Sequence, residues 1–294
     1  TGGAFDAFYK AVWNAAWRGP AYFELARLAC RKAEYVEALE LLENALVSNS
    51  HHQQAHHLKI AILRRLDRRA EALAVVEHSL RLDPLDFGAL YERSRLTDDA
   101  VYRDLMRDYV HNYIELSLDY AHAGLFDNAI RVLDDAPVDN PMTWIFLGWY
   151  YAQTGDETSA RRCFAESCKL PPDFCFPHRV EAVSALQTAI AYQPDDARAP
   201  YYLGNFWYAH RRYDEAIAAW EASKTLDPNF ATVQRNLGQA YMNKRQDSAA
   251  ALEHYERAFA LEPSDARVFF ELDQLHKKLG SPPANRLARL EQHS

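Results

Sequence analysis

The stretch HHQQAHH, residues 51–57, holds the side chains best suited to bind a metal ion. His52 and His56 are four residues apart, so on a helix they would share one face. A stable zinc site needs three or four ligands, and no cysteine or acidic residue stands close to these histidines in the sequence. We therefore predict no metal and interpret them as surface or packing histidines, with a metal site as the alternative.

The four cysteines are the second possible source of metal ligands, and they include no C-x-x-C pair. Cys163, Cys168 and Cys175 could join His178 in a zinc site, but their spacing matches no common zinc finger. Like Cys30, each falls in or beside an apolar helical pattern, where a thiol behaves as a small hydrophobic group. We favour buried thiols in a reducing compartment and predict a cytoplasmic protein.

Sequence patterns for catalysis or cofactor binding are absent: there is no glycine-rich phosphate loop, no G-x-S-x-G and no H-E-x-x-H. We predict neither enzyme activity nor a cofactor. The chain has 33 basic and 41 acidic residues, a net charge of −8, and its basic residues are scattered, which argues against nucleic-acid binding. No apolar run approaches the roughly 20 residues that cross a bilayer, so no membrane contact is predicted.

The elements that position these side chains are predicted to be helices. The chain has 49% hydrophobic residues and only 10 glycines among its 294 residues, a composition rich in helix formers and poor in glycine-rich turns. A set of small and aromatic residues recurs with a period of 34 residues. One copy holds Trp144, Leu147, Gly148, Tyr151, Ala160 and Phe164, and another holds Leu203, Gly204, Trp207, Ala216 and Trp220.

This spacing has a simple physical explanation in a pair of helices. Residues at i, i+3, i+4 and i+7 share a helix face, so Leu147, Gly148 and Tyr151 point toward the same neighbour. A glycine costs about 1 kcal/mol of helix propensity, which is tolerable where a side chain would hold two backbones apart. Ala160 is the matching small residue of the second helix, and Phe164 fills the space beyond it. Each period therefore predicts one packed helix pair.

The pattern resembles the tetratricopeptide repeat, and the resemblance covers most of the chain over six units. It implies an all-α fold, a right-handed α-solenoid of helix-turn-helix units. We expect interruptions near residues 97–109, where a full second helix is lacking, and near residues 174–196. In the latter, Ala182, Leu186 and Ala189 mark a second-type helix with no first helix ahead of it. We expect the aromatic segment 174–179 to pack there as a wedge.

These breaks predict an N-terminal repeat array at residues 1–173 and a C-terminal array at residues 174–294, which ends in a degenerate capping helix. The first array begins in the middle of a repeat, because Ala4, Phe8 and Ala11 occupy the small, aromatic and small positions of a second helix.

A narrower resemblance is carried by FPHRVEAVSALQTAI, APYYLGNFWY and RRYDEAIAAW in the C-terminal half. They resemble the tetratricopeptide region at the C-terminal end of large bacterial proteins that carry an N-terminal β-rich domain of unknown function. The resemblance implies that any catalytic part lies outside these 294 residues. It also implies three possible partners: another protein or peptide, the missing N-terminal domain, or a second copy in a homo-oligomer.

The tetratricopeptide resemblance further implies that the first helix of each unit lines a concave groove at its second, fifth, ninth, twelfth and thirteenth positions. Amide, guanidinium and aromatic groups there could bind a peptide. We predict a non-catalytic protein–protein interaction scaffold that binds a peptide or protein segment. The alternatives are a solvated inner face and a structural or oligomerisation module of a larger carbohydrate-active bacterial enzyme. The predicted groove residues are Arg198, Tyr201, Asn205, Tyr208, Arg235, Gln239, Asn243, Arg267 and Gln274.

Overall fold

A computed structural model describes residues 2–97, 99 and 101–292, and every regular element in these residues is helical. The predicted all-α fold is confirmed. No helix of the described residues is both long enough and apolar enough to cross a membrane. The α-helices are α1 (Gly2–Ala11), α2 (Arg18–Arg31), α3 (Tyr35–Ser48), α4 (Gln53–Arg65), α5 (Arg69–Leu82), α6 (Phe87–Leu96), α7 (Val101–Met106), α8 (Val110–His122), α9 (Phe126–Asp134), α10 (Pro141–Thr154), α11 (Glu157–Ser167), α12 (Glu181–Tyr192), α13 (Arg198–Ala209), α14 (Tyr213–Leu226), α15 (Ala231–Ala240), α16 (Ser248–Leu261), α17 (Ala266–Lys278) and α18 (Pro283–Gln292).

Packing divides the chain into two compact units, Thr1–Ala160 and Arg161–Ser294. In the first unit α2 packs on α3, α4 on α5 and α8 on α9; in the second, α13 packs on α14 and α15 on α16. Short loops such as residues 32–34 and 210–212 join the members of a pair, which makes them hairpins of neighbouring helices. The predicted helix pairs are therefore present, while the array boundary at residue 173 stays a prediction.

The repeated small residues form the core of each helix pair. Ala38, Ala72, Ala129, Ala216 and Ala251 are fully buried on the second helices of five pairs. The large residue four positions later is also buried in every pair, which gives each hairpin the same small-then-large contact. These residues are Leu42, Val76, Leu133, Trp220 and Tyr255.

Two glycines of the second unit mark close helix approaches. A Cβ atom at Gly204 would lie 2.9 Å from Cγ of Trp220 and closer still to two other ring atoms, and one at Gly238 would lie 2.9 Å from Cγ of Tyr255. The ring of the second helix therefore lies directly against the glycine of the first. The predicted close approach is present, and the contacting group is the aromatic ring.

Both predicted interruptions of the repeat are seen. Helix α6 is followed by the six-residue α7 where other units have a long second helix. No helix is present between Ser167 and Glu181, so α12 follows α11 without a first helix between them.

The wedge expected at residues 174–179 is wrong for its aromatic side chains. Phe174 is 88% exposed and Phe176 is 60% exposed, while Cys175 between them is buried. Phe174 also has a φ of 55°, in the left-handed region of backbone conformation. Cys175 and Pro177 provide the buried contacts of this segment.

The repeat that contains Leu237 and Ala251 has one residue more between these positions than the repeat that contains Leu203 and Ala216, and the extra residue lies in a π-helical turn. Helix α15 continues into this turn at Tyr241–Arg245, and Gln246 then adopts a left-handed φ of 57°. A π-helical turn accommodates one extra residue without ending the helix.

Helix α1 is present where the sequence predicts a second-type helix, and it packs on α2. Its predicted packing face is largely uncovered, since Ala4 is exposed and Phe8 is only partly buried. This helix forms one wall of an open groove that α2 and α3 also line.

Candidate functional site

Three first-type helices of the second unit, α13, α15 and α17, carry eight of the nine predicted groove residues, and the ninth, Asn243, lies in the π-helical turn that follows α15. Asn236 of α15 donates a hydrogen bond from Nδ2 to Oδ1 of Asn205 on α13, at 3.2 Å. Arg235 of α15 binds Glu271 on α17. These contacts bring the three helices side by side, and we call the surface that they form the α13–α15–α17 face.

Arg198 and Tyr201, at the start of α13, are engaged within the protein. Tyr201 is 6% exposed, and its ring lies 4.8 Å from the ring of Phe230. The Arg198 guanidinium donates to the carbonyl oxygen of Cys168 and forms an ion pair with Asp196 at 3.4 Å. These two residues fix the end of the face, and neither offers a ligand its full hydrogen-bonding capacity.

Asn205 is held in one orientation by two donors. Its Oδ1 accepts from Nε1 of Trp220 at 3.2 Å as well as from Asn236. Nε1 of Trp220 also donates to the carbonyl oxygen of Tyr201 at 3.3 Å, and the indole is buried. The core tryptophan of the helix pair therefore positions an amide of the face.

An aromatic wall with a cation follows at the end of α13. The ring of Tyr208 lies 5.2 Å from that of Tyr213 and 5.3 Å from that of Trp220. Nζ of Lys244, in the π-helical turn, lies 4.2 Å from the centre of the Tyr213 ring and 5.9 Å from that of Tyr208. Burial raises the pKa of the Tyr208 hydroxyl and Lys244 opposes that shift, so Tyr208 stays neutral at physiological pH.

Arg235 is the most firmly held cation of the face. Both its Nε, at 3.0 Å, and its Nη2 donate to the carboxylate of Glu271, and the two side chains are only 18% and 24% exposed. Burial opposes the charge of Arg235, but the hydrogen bonds and charge of Glu271 outweigh burial and raise its pKa. A carboxylate of a ligand would therefore compete with Glu271 for this guanidinium.

The weakly engaged polar side chains of the face lie on α15, on α17 and in the π-helical turn. Within the described part of the chain, the side chains of Gln239 and Asn243 form no hydrogen bond, and Asn243 is exposed. Gln274 makes one long contact, 3.4 Å from Nε2 to Asp273. The side chain of Arg267 is 75% exposed, although it lies 3.4 Å from Asp265. These groups can donate to and accept from a bound main chain without first breaking a strong bond.

Three of the four histidines of HHQQAHH, His52, His56 and His57, have side-chain partners in the protein. Nδ1 of His52 accepts from the N–H of Ala55 at the start of α4, and Nε2 of His56 lies 2.9 Å from the carbonyl oxygen of Ser50. Nε2 of His57 lies 2.5 Å from Oδ1 of Asp86. In residues 2–97, 99 and 101–292, no group of three or more His, Cys, Asp or Glu side chains is arranged to hold a metal ion.

The cysteines are free thiols. Cys30, Cys163 and Cys175 are buried, and Cys168 is partly buried. Burial raises the pKa of Cys168 to about 11, with the neighbouring Asp196 adding to the shift. This thiol is protonated at physiological pH.

The sequence pattern did not predict three residues that take part in the α13–α15–α17 face. Asn236 and Glu271 occupy the sixth position of their helices, next to the groove positions, and Lys244 lies beyond them in the π-helical turn. Their roles depend on a neighbour in the preceding or following repeat. Each of these three residues stands one position after a predicted groove position. This proximity is the sequence feature that could have indicated them.

Comparison with known proteins identifies the repeat. The tetratricopeptide repeat family matches at residues 143–174, 181–229 and 208–266.

The solved structures that match parts of the chain include those of three distinct proteins. One is described as "YrrB: a TPR protein with an unusual peptide-binding site", and its sequence is 18% identical to that of this chain. The alignment covers 78% of this chain and 96% of that one, with a TM-score of 0.34. MamA is 20% identical, with 70% and 95% covered, at a TM-score of 0.30. The APC/C hetero-tetramer Cut9–Hcn1 is 16% identical, with 82% and 52% covered, at a TM-score of 0.31.

Proposed function

Because the chain contains tetratricopeptide repeats, we propose that it is a non-catalytic interaction scaffold whose α13–α15–α17 face binds a segment of another protein. The observation that carries this proposal is the contrast along the face. The side chains of Asn205 and Arg235 are held rigidly by Trp220 and Glu271, whereas the side chains of Gln239 and Asn243 form no hydrogen bond within the described residues.

Rigid surroundings favour binding because less conformational freedom is lost when a partner arrives. A side-chain amide can donate and accept at once, which matches the alternating N–H and C=O groups of an extended main chain. Gln239 and Asn243 are four residues apart, so both lie on the same side of the helix as it passes into the π-helical turn. The aromatic wall of Tyr208 and Tyr213 can cover an apolar side chain of the same segment.

The charges of the face favour an acidic segment. Lys244, Lys277 and Lys278 form no ion pair within the described residues, and all three are exposed. The carboxylates of the face are already neutralised, Glu271 by Arg235 and Asp265 by Arg267. The face is therefore locally cationic although the whole chain has a net charge of −8.

The test starts from a library of random peptides selected on the immobilised 294-residue chain. We expect the selected peptides to be rich in Asp and Glu and to bind the variant Q239A/N243A about thirtyfold more weakly, since two hydrogen bonds contribute about 2 kcal/mol. The control is Gln187→Ala on α12, an exposed glutamine outside the face, which should leave the affinity unchanged.

Charge reversal at Lys277→Glu and Lys278→Glu tests the acidic preference separately. The two substitutions together should weaken peptide binding more strongly at low salt than at high salt, because salt screens the attraction between exposed charges. Peptides that bind Q239A/N243A as tightly as the unchanged chain would remove the α13–α15–α17 face as the binding site.

A further inference from the structure

The aromatic wall of Tyr208 and Tyr213 forms a corner that holds a cation. The two rings meet edge to face, with an angle of 63° between their planes. Nζ of Lys244 lies close enough to both ring centres for the negative ring faces to attract its charge, which requires a distance below about 6 Å. Lys244 forms no ion pair within the described residues, so the rings and not a carboxylate hold its ammonium group at this corner.

Lys244 belongs to a turn that is one residue wider than its counterpart in the preceding hairpin. Between α13 and α14, the N–H of Arg212 donates to the carbonyl oxygen of Trp207, five positions earlier, at 2.9 Å. Between α15 and α16, the N–H of Asp247 donates to the carbonyl oxygen of Tyr241, six positions earlier, at 3.0 Å. The extra residue is therefore accommodated in the segment that carries Lys244.

Two further contacts attach this wider turn to the preceding hairpin. Nη2 of Arg245 lies 2.9 Å from Oδ1 of Asp214, next to the aromatic corner in the sequence. The hydroxyl of Tyr241 donates to Oε1 of Glu221 at 3.2 Å. The backbone on both sides of Lys244 is thus fixed beside α14, which keeps its ammonium group near the two rings.

The position of Lys244 shows which chemistry the corner can bind. Aromatic ring faces attract alkylammonium cations, from the lysine side chain to quaternary ammonium groups. Lys244 is exposed and has a flexible four-carbon stem, so its ammonium group can leave the rings without a change of fold. A free alkylammonium group would have to displace it, and a tethered group competes at a high effective concentration.

We propose that Tyr208 and Tyr213 form a binding site for an alkylammonium group, and that Lys244 closes this site as a tethered competitor. While Lys244 is in place, its charge repels a lysine or arginine side chain of a partner at this point. The effect on peptide choice rests on the proposed function: Lys244 makes the α13–α15–α17 face select acidic over basic segments. The cation site itself is independent of peptide binding.

The first test titrates tetramethylammonium into the 294-residue chain and follows the ring signals of Tyr208 and Tyr213 by NMR. We expect K244A to bind the ion saturably, and the unchanged chain to bind it about tenfold more weakly, because the ion must displace Lys244. The charge control is K10A, which removes an exposed lysine of α1 and should behave like the unchanged chain. The shape control is tert-butanol, which is similar in size but uncharged and should bind K244A much more weakly.

A second variant removes the ring that Lys244 approaches most closely. Y213L/K244A should lose the affinity for tetramethylammonium that K244A gains, and circular dichroism should show all variants equally helical. The proposal is overturned if K244A binds the ion no more tightly than the unchanged chain, if K10A gains the same affinity, or if tert-butanol binds K244A as tightly as tetramethylammonium does. The tert-butanol comparison needs no second substitution, so it tests the site even if Y213L/K244A does not fold.

The second test repeats the peptide selection on immobilised K244A. We expect lysine and arginine to become frequent among the selected peptides, because the corner is then open to a cation. If K244A binds tetramethylammonium but selects the same acidic peptides as the unchanged chain, the role of Lys244 in peptide choice is overturned. If no peptide binds either chain, the proposed function fails, while the titration still tests the cation site.

Discussion

The close approach at Gly204 supports a quantitative prediction for Gly204→Ala. The added Cβ would lie within 2.9 Å of the Trp220 ring, which is buried and held by hydrogen bonds to Tyr201 and Asn205. Overpacking of this kind costs about 1 to 3 kcal/mol. Alanine recovers about 1 kcal/mol of helix propensity relative to glycine, so we expect a net loss of up to about 2 kcal/mol, and a Gly204→Ala chain about 1 to 3 kcal/mol less stable than the propensity gain alone would make it.

Differential scanning calorimetry checks this prediction. The transition that contains the second unit should move down by about 3 °C for each kcal/mol lost. Gly3→Ala is the matched control, because Gly3 is helical and has nothing within 4 Å of an added Cβ, so only the propensity gain remains. A Gly204→Ala chain as stable as Gly3→Ala would refute the packing argument.

A double variant separates the clash from other effects. Trp220→Leu removes the ring that meets the added methyl group, so Gly204→Ala should cost little in that background. The indole also orients Asn205 through its Nε1 hydrogen bond. Gly204→Ala should therefore weaken peptide binding as well as stability, whereas an effect on stability alone would separate the core from the face.

Three further predictions concern charge and protonation. Arg235→Ala leaves the partly buried Glu271 without its cation and should cost about 1 to 3 kcal/mol in urea denaturation, while R235A/E271A should cost less than the sum of the single changes. Burial, followed by the charge of Lys224, lowers the pKa of His254. The contribution of His254 to stability is therefore full above about pH 6.5 and is lost as pH falls through its folded-state pKa. The substitution His254→Gln should reduce the fall in melting temperature below about pH 6.5. Burial, opposed by the charge of Arg65, raises the pKa of Cys30 to about 12, so iodoacetamide at about pH 8 should alkylate it at least about a hundredfold more slowly in the folded chain than in urea, measured by mass spectrometry.

Residues whose role lies within one repeat were predictable from the sequence. Ala216 and Trp220 follow from the period alone, because a helix pair needs a small residue beside a large one at the point of contact. The spacing of Leu237 and Ala251 exceeds that of Leu203 and Ala216 by one residue, which indicates an insertion in the sequence. The sequence does not indicate that the extra residue forms a π-helical turn or that this turn brings Lys244 to the aromatic wall, because a single insertion can equally lengthen a loop.

Residues whose role depends on another repeat were harder to predict. Arg235 was expected to face a ligand, and the structure pairs it with Glu271, which lies 36 positions later. Phe174 and Phe176 were expected to be buried because they are aromatic. Burial depends on whether another element covers a side chain, and the residues before α12 form no helix that could do so.

The measurement closest to the central claim is a crystal structure of the 294-residue chain with one of the selected acidic peptides bound. We predict that the peptide main chain lies along α15 within hydrogen-bond distance of Gln239 and Asn243, with a carboxylate near Lys277 or Lys278. A peptide bound to α14 and α16, or to the first unit, would contradict the account.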